Sequence, residues 1–245
     1  MWRNFKWLWV PLVFVLLGIM QPVTTYYLPQ IVESMGGLPD GAVIEFPTPT
    51  GAQVMAEVLS QYNTMGILIL VLAGMAIVAG EKQSRSISLV LVRPLPHSTF
   101  ITAKWTAFLT LTVASLLIGS LSAWYYTILL FDQVNFVDLI SGVFVYGIWV
   151  VFVISVLLLM STLLRGNSAI AFVSILVAVC FSVLTGLLDR WMLWSPARLT
   201  QHAMSLITSG AAAEGFLLSV VVTALLIILS IVAAVFALKR QELGD

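Results

Sequence analysis

Six stretches of this chain stay apolar for about 18 residues or more, and the charged residues gather between them. That spacing constrains the fold more than any motif does. A helix rises about 1.5 Å per residue, so about 20 apolar residues cross the ~30 Å hydrocarbon layer of a bilayer while satisfying their own backbone hydrogen bonds. The stretches are 7–27, 63–80, 100–131, 139–164, 169–188 and 215–238. They predict an all-α integral membrane protein, a single transmembrane domain over residues 1–245, with six transmembrane helices. Composition points the same way: 9% of residues are charged, against about 25% in a typical soluble domain. So little charge cannot cover a water-facing surface.

The first stretch follows Arg3 and Lys6 and carries Pro11 and Pro22, which are expected to kink or shorten its helix. It is longer than the ~7–15-residue apolar region of a secretory signal, and no A-x-A-like cleavage site follows, so a retained helix is expected. Residues 28–62 form an outer loop rich in Gly and Pro, whose charges Glu33, Asp40, Glu45 and Glu57 are all acidic. Within it, 51–62 has the spacing of a short amphipathic helix. In the second stretch, Ala76 and Gly80 have the small-xxx-small spacing that lets helix backbones approach closely. Ser98 is the expected N-cap of the third helix. Cys180, the single cysteine, is expected to be a small packing residue. Residues 189–214 are too broken to span and suit an interfacial or re-entrant segment between spans five and six.

Charge sets the orientation. Six spans put both termini on one side, and nine of the eleven Lys and Arg residues fall there; only Arg190 and Arg198 lie opposite. The positive-inside rule then predicts cytoplasmic termini and a cytoplasmic segment 81–99 between spans two and three.

Catalytic signatures are missing from the sequence. There is no Walker phosphate loop, no G-x-S-x-G and no H-E-x-x-H. His97 and His202 are expected on opposite sides of the membrane, His97 as a solvated loop residue and His202 as an interfacial one. The chain is therefore expected not to be an enzyme and to hold no cofactor or metal. No basic domain supports nucleic-acid binding. No ionisable residue lies in the middle of any of the six stretches, so ion coupling through the bundle is disfavoured and an outside energy source is favoured.

Segment 81–99 reads either as a simple loop carrying positive-inside charges or as a surface helix within reach of a partner. Glu81 to Val92 fits about three helical turns, polar at the start (Lys82, Gln83, Ser84, Arg85, Ser86) and apolar afterwards (Ile87, Leu89, Val90, Leu91, Val92), with Pro94 and Pro96 stopping it. Such a helix lies along a membrane surface with its charged end in reach of a soluble protein.

The run AGEKQSRSISLVLVRPLPHSTFITAK resembles the elbow of the type-2 family of ATP-binding-cassette exporter permeases, with Glu81, Lys82, Pro94 and Lys104 matching its pattern and Arg85-Ser86 standing where that family has Gly-Thr. The acidic outer segment, the broken stretch before the last span and the ending FALKRQEL also look like that family. The resemblance implies a permease subunit in the bacterial cell (plasma) membrane, surrounded by membrane lipid. It would be paired with a second permease chain, as homodimer or heterodimer, and with cytoplasmic ATP-binding-cassette subunits that hold ATP and Mg. It also implies that 81–94 is a coupling helix and that Glu81, Lys82, Arg85, Ser86, Leu89, Arg93 and Pro94 contact the ATP-binding subunit. The alternative is a six-span membrane protein that transports nothing: an immunity, sensor or assembly factor.

Overall fold

Backbone that meets hydrocarbon must satisfy its own hydrogen bonds, and the chain does so with helices. The computed structural model describes residues 5–34, 49–80 and 96–242, and among these there is no strand. The elements are α1 (Lys6–Ser34), α2 (Gly51–Gln61), a π-helical turn (Tyr62–Gly66), α3 (Ile67–Gly74), α4 (His97–Leu130), α5 (Phe136–Leu163), α6 (Asn167–Leu187), α7 (Arg198–Ser209) and α8 (Phe216–Glu242). By length and composition, six helical stretches can cross a membrane: Lys6–Val32, Gly51–Gly74, His97–Leu130, Phe136–Leu163, Asn167–Leu187 and Phe216–Arg240. The protein is a multi-pass, all-helical membrane protein.

α5 is the centre of the bundle. It is the most buried span, and Tyr146, Trp149, Leu157 and Leu158 on it are sealed from the surface. α8, α7, α4, α6 and α3 pack around it, while α1 lies along α4. α8 is the least buried span and α1 the next. Their exposed Leu, Ile and Phe side chains suit hydrocarbon rather than water. α4, with 34 residues, is about 51 Å long, more than a bilayer core needs. It either tilts or stands out of the hydrocarbon at an end.

The helix ends follow ordinary capping chemistry. Thr50 Oγ1 accepts from Gln53 N at 3.4 Å while Thr50 N donates to Gln53 Oε1 at 3.0 Å, a reciprocal capping box that starts α2. Asn135 Oδ1 accepts from Val137 N at 3.0 Å and starts α5. Gly210, at φ 71°, closes α7 in the left-handed conformation.

Several details differ from the sequence reading. The second span starts at Gly51 rather than 63, because the π turn joins α2 to α3 without a break. The polar residues of 51–61 hid that continuity, yet Val54, Met55, Val58 and Leu59 are fully buried. The span also stops at Gly74, short of 80. Pro11 and Pro22, with Pro29, lie inside α1, which runs unbroken past all three. Ser98 is not the N-cap of α4; Pro96 occupies that position, with no side-chain cap. Cys180 is exposed on α6 rather than packed. Among the described residues a Cβ on Gly80 would meet only Ala76 Cβ of its own segment, so no described helix packs closely on the Ala76–Gly80 pair. That role falls to Gly18 and Gly119, where an added Cβ would lie 2.6 Å from Gly119 O and 2.9 Å from Phe14 O respectively. The α1 and α4 backbones touch there.

Candidate functional site

The residues singled out as partner contacts, Glu81, Lys82, Arg85, Ser86, Leu89, Arg93 and Pro94, all lie outside the described residues. What the structure does describe is the stretch Met75–Gly80 that immediately precedes that segment.

α3 ends at Gly74, where its last turn is wedged between two helices. A Cβ on Gly74 would fall 2.6 Å from Leu157 of α5 and 2.8 Å from Phe108 of α4. The chain then makes a tight turn over Met75–Val78, with Ile77 N donating to Gly74 O at 2.9 Å, and becomes helical again at Ala79 and Gly80. Breaking a helix strands backbone donors and acceptors. One side chain from α5 takes them up. Ser161 Oγ accepts from Val78 N and Ala79 N, each at 3.1 Å, and donates to Met75 O at 3.4 Å. A hydroxyl has one donor and two acceptor sites, and all three are spent on this break. Ser161, Val78 and Ala79 are fully buried. One turn earlier, Lys6 Nζ at the start of α1 donates to Ala73 O at 2.7 Å. Two separate helices thus hold the joint.

A second polar node lies on the π turn. The Tyr62 hydroxyl donates to Phe14 O at 2.9 Å, and Asn63 Oδ1 accepts from Trp149 Nε1 at 2.8 Å. π turns occur often at functional sites. Here the turn presents two neighbouring side chains, Tyr62 to α1 and Asn63 to α5.

At the other end of the bundle, Arg198 NH1 sits 2.6 Å from Asp189 Oδ1 and 2.7 Å from Asp189 O. His202, one turn along α7, is buried edge-on to the Phe216 ring, and among the described residues neither ring nitrogen has a hydrogen-bond partner. It is buried within the protein, on a helix that is not among the six candidate spans. Burial, with the Arg198 charge beside it, pushes its pKa below the ordinary 6.5.

Glu57, assigned to the outer loop in the sequence, lies inside the helical stretch Gly51–Gly74, six residues from its start rather than at its middle. Its Oε2 accepts from Gln21 Nε2 at 2.9 Å and lies 3.4 Å from Thr25 Oγ1. The missed signal was the capping box before it; continuity through Tyr62–Gly66 was not readable from hydropathy. Ser161 left no signal, since one serine in an apolar helix usually bonds to its own backbone. Among the described residues no group of three or more His, Cys, Asp or Glu is placed to hold a metal ion.

Residues 36–243 match the family described as "Protein of unknown function (DUF2705)". The chain is also 32% identical over 241 residues to the "Uncharacterized transmembrane protein YxlG" of Bacillus subtilis (strain 168), covering 98% of this chain and 93% of that protein. A match over most of the chain, together with a relative aligned nearly end to end, shows that this multi-pass membrane protein belongs to the DUF2705 family.

Proposed function

We propose that this chain is the membrane-spanning permease subunit of an ATP-driven transporter, working as an exporter in a bacterial cell membrane. Both termini and segment 81–99 face the cytoplasm. A separate ATP-binding-cassette subunit, carrying ATP and Mg, engages the coupling helix at 81–94, and a second permease chain completes the pore. The elbow resemblance and the charge partition of the sequence support this reading.

The observation that carries it is the joint at Met75–Ala79. A passive loop needs no preparation, whereas a lever needs a defined fulcrum at its root. Here the helix is stopped at Gly74, turned, restarted at Ala79 and tied to α5 through Ser161, two residues before Glu81. On the far side of 81–95 the chain re-enters through α4, whose excess length suits a stalk reaching toward a soluble partner.

The experiment is co-purification in mild detergent followed by coupled ATPase and transport assays. The native chain is expected to recover an ATP-binding subunit. Glu81→Ala and Arg85→Glu are expected to leave membrane insertion intact while uncoupling ATP hydrolysis from transport. Recovery of no ATP-binding subunit, or normal transport by both variants, overturns the proposal and favours a non-transporting six-span protein.

A further inference from the structure

We infer that His202 makes the seam between α7 and α8 an acid-opened latch: the neutral imidazole closes it, and protonation parts the start of α8 from α7. The ring is fully buried against Phe216 of α8, with centroids 5.5 Å apart, and among the described residues neither nitrogen has a hydrogen-bond partner. Burial there costs the neutral ring its hydrogen bonds, but it costs the charged ring far more. An imidazolium has two N–H donors to satisfy and a charge to balance.

The groups around the ring offer that charge no relief. On α7 itself the other ionisable residue is Arg198, one turn away and of like charge. Its carboxylate partner, Asp189, is already spent on Arg198 NH1 at 2.6 Å. α5, α2 and α8 pack against α7. α5 brings Asp138, whose carboxylate lies near Gly210 at the far end of α7, and Tyr146, a phenol, a group that ordinarily titrates near pH 10. α2 brings Glu57, which is bonded to Gln21 and Thr25 of α1. α8 has no basic or acidic residue before Lys239, and Glu214 and Arg190 in the flanking links are exposed. Burial first, and Arg198 second, accordingly hold the imidazole neutral below its ordinary 6.5.

The element free to yield is α8. α7 is tied at its start through Arg198–Asp189 and seated on α5, where a Cβ on Gly142 would lie 2.6 Å from Ile207 and 2.9 Å from Ala203 O. α8 is the least buried span. The link into it has a left-handed glycine at each end, Gly210 at φ 71° and Gly215 at φ 83°, with exposed residues 211–214 between them. Parting only the first turn of α8 from His202 lets water reach the ring, a local opening that leaves the rest of the bundle closed. The latch needs no ATP-binding partner, so it stands or falls apart from the transporter reading.

The test is amide hydrogen exchange of the full chain in detergent at pH 7 and pH 5, corrected for the pH dependence of intrinsic exchange. Opening at residues 206–210 and 219–222, the last turn of α7 and the first bonded turn of α8, is expected to rise by up to about 25-fold. That is the gain in protonation available to a released imidazole of pKa about 6.5. Exchange in the middle of α5 is expected to stay slow, and His202→Gln to abolish the rise. If that variant does not purify as the native monodisperse peak, exchange of the C2 hydrogen of His202 in the native chain decides instead: the ring should titrate over the pH range in which the two turns open. The inference is overturned by an equal rise in native and His202→Gln, by no rise in the native chain, or by a rise shared with α5. Titration of His202 at a pH where the two turns stay closed overturns it as well.

Discussion

The Tyr62 hydroxyl donates to the Phe14 carbonyl oxygen at 2.9 Å, at the place where α1 and α4 come close enough to touch. The contact depends on two glycines: a Cβ on Gly18 would lie 2.5 Å from the Tyr62 oxygen, and one on Gly119 would lie 2.7 Å from it. The side chain of the π turn thus fills a slot that only bare backbone leaves open. Three segments of the bundle are fixed at one point.

This arrangement separates the hydrogen bond from the packing. Tyr62→Phe removes only the hydroxyl and should cost about 0.5–1.5 kcal/mol, the net worth of one such bond. Gly18→Val or Gly119→Val must push two backbones apart and should cost about 1–3 kcal/mol or more. Thermal stability in detergent, read as the fraction remaining monodisperse after heating, should fall in the order native, Tyr62→Phe, then either glycine variant.

Ser161 makes a sharper prediction, because its three bonds converge on the helix break. Ser161→Ala leaves the buried N–H groups of Val78 and Ala79 without their acceptor, at about 1–3 kcal/mol. That corresponds to roughly 5- to 150-fold more frequent opening. Amide hydrogen exchange over Met75–Gly80 should accelerate by that factor, while exchange in the middle of α5 stays slow. Unchanged exchange at Val78 and Ala79 would show that Ser161 does not hold the joint.

His202 predicts a pH dependence of stability. Its folded pKa lies below the unfolded 6.5, first through burial and second through Arg198. Between those two values the unfolded chain binds more protons, so the contribution of the neutral imidazole is present above about pH 6.5 and is lost as pH falls through the window below it. Unfolding midpoints should therefore drop on moving from about pH 7 toward 5. His202→Gln should flatten that slope while lowering stability little at pH 7. An equal slope in both proteins would place the titration on another group.

The sequence reached the membrane class and six helical stretches apolar enough to span because hydropathy is local: each is written in about 20 consecutive residues. It missed the second span's start because Glu57, Gln53 and Gln61 mask a run whose apolar face is completed by neighbouring helices. It misplaced Cys180 for the same reason, since which side of a helix is buried depends on what packs against it. The Ala76–Gly80 spacing suggested a close contact, but the helix that would have presented it ends at Gly74.

By itself, then, the sequence determined the class and the six stretches able to cross a bilayer, because the bilayer acts on composition and length. The tertiary structure decided where the helices break and what satisfies the broken ends. Ser161 lies more than eighty residues from the amides it holds, and Glu57 and Gln21 meet only when α1 and α2 pack. Pairings at that separation are set by the packing of whole helices, and no local pattern encodes them.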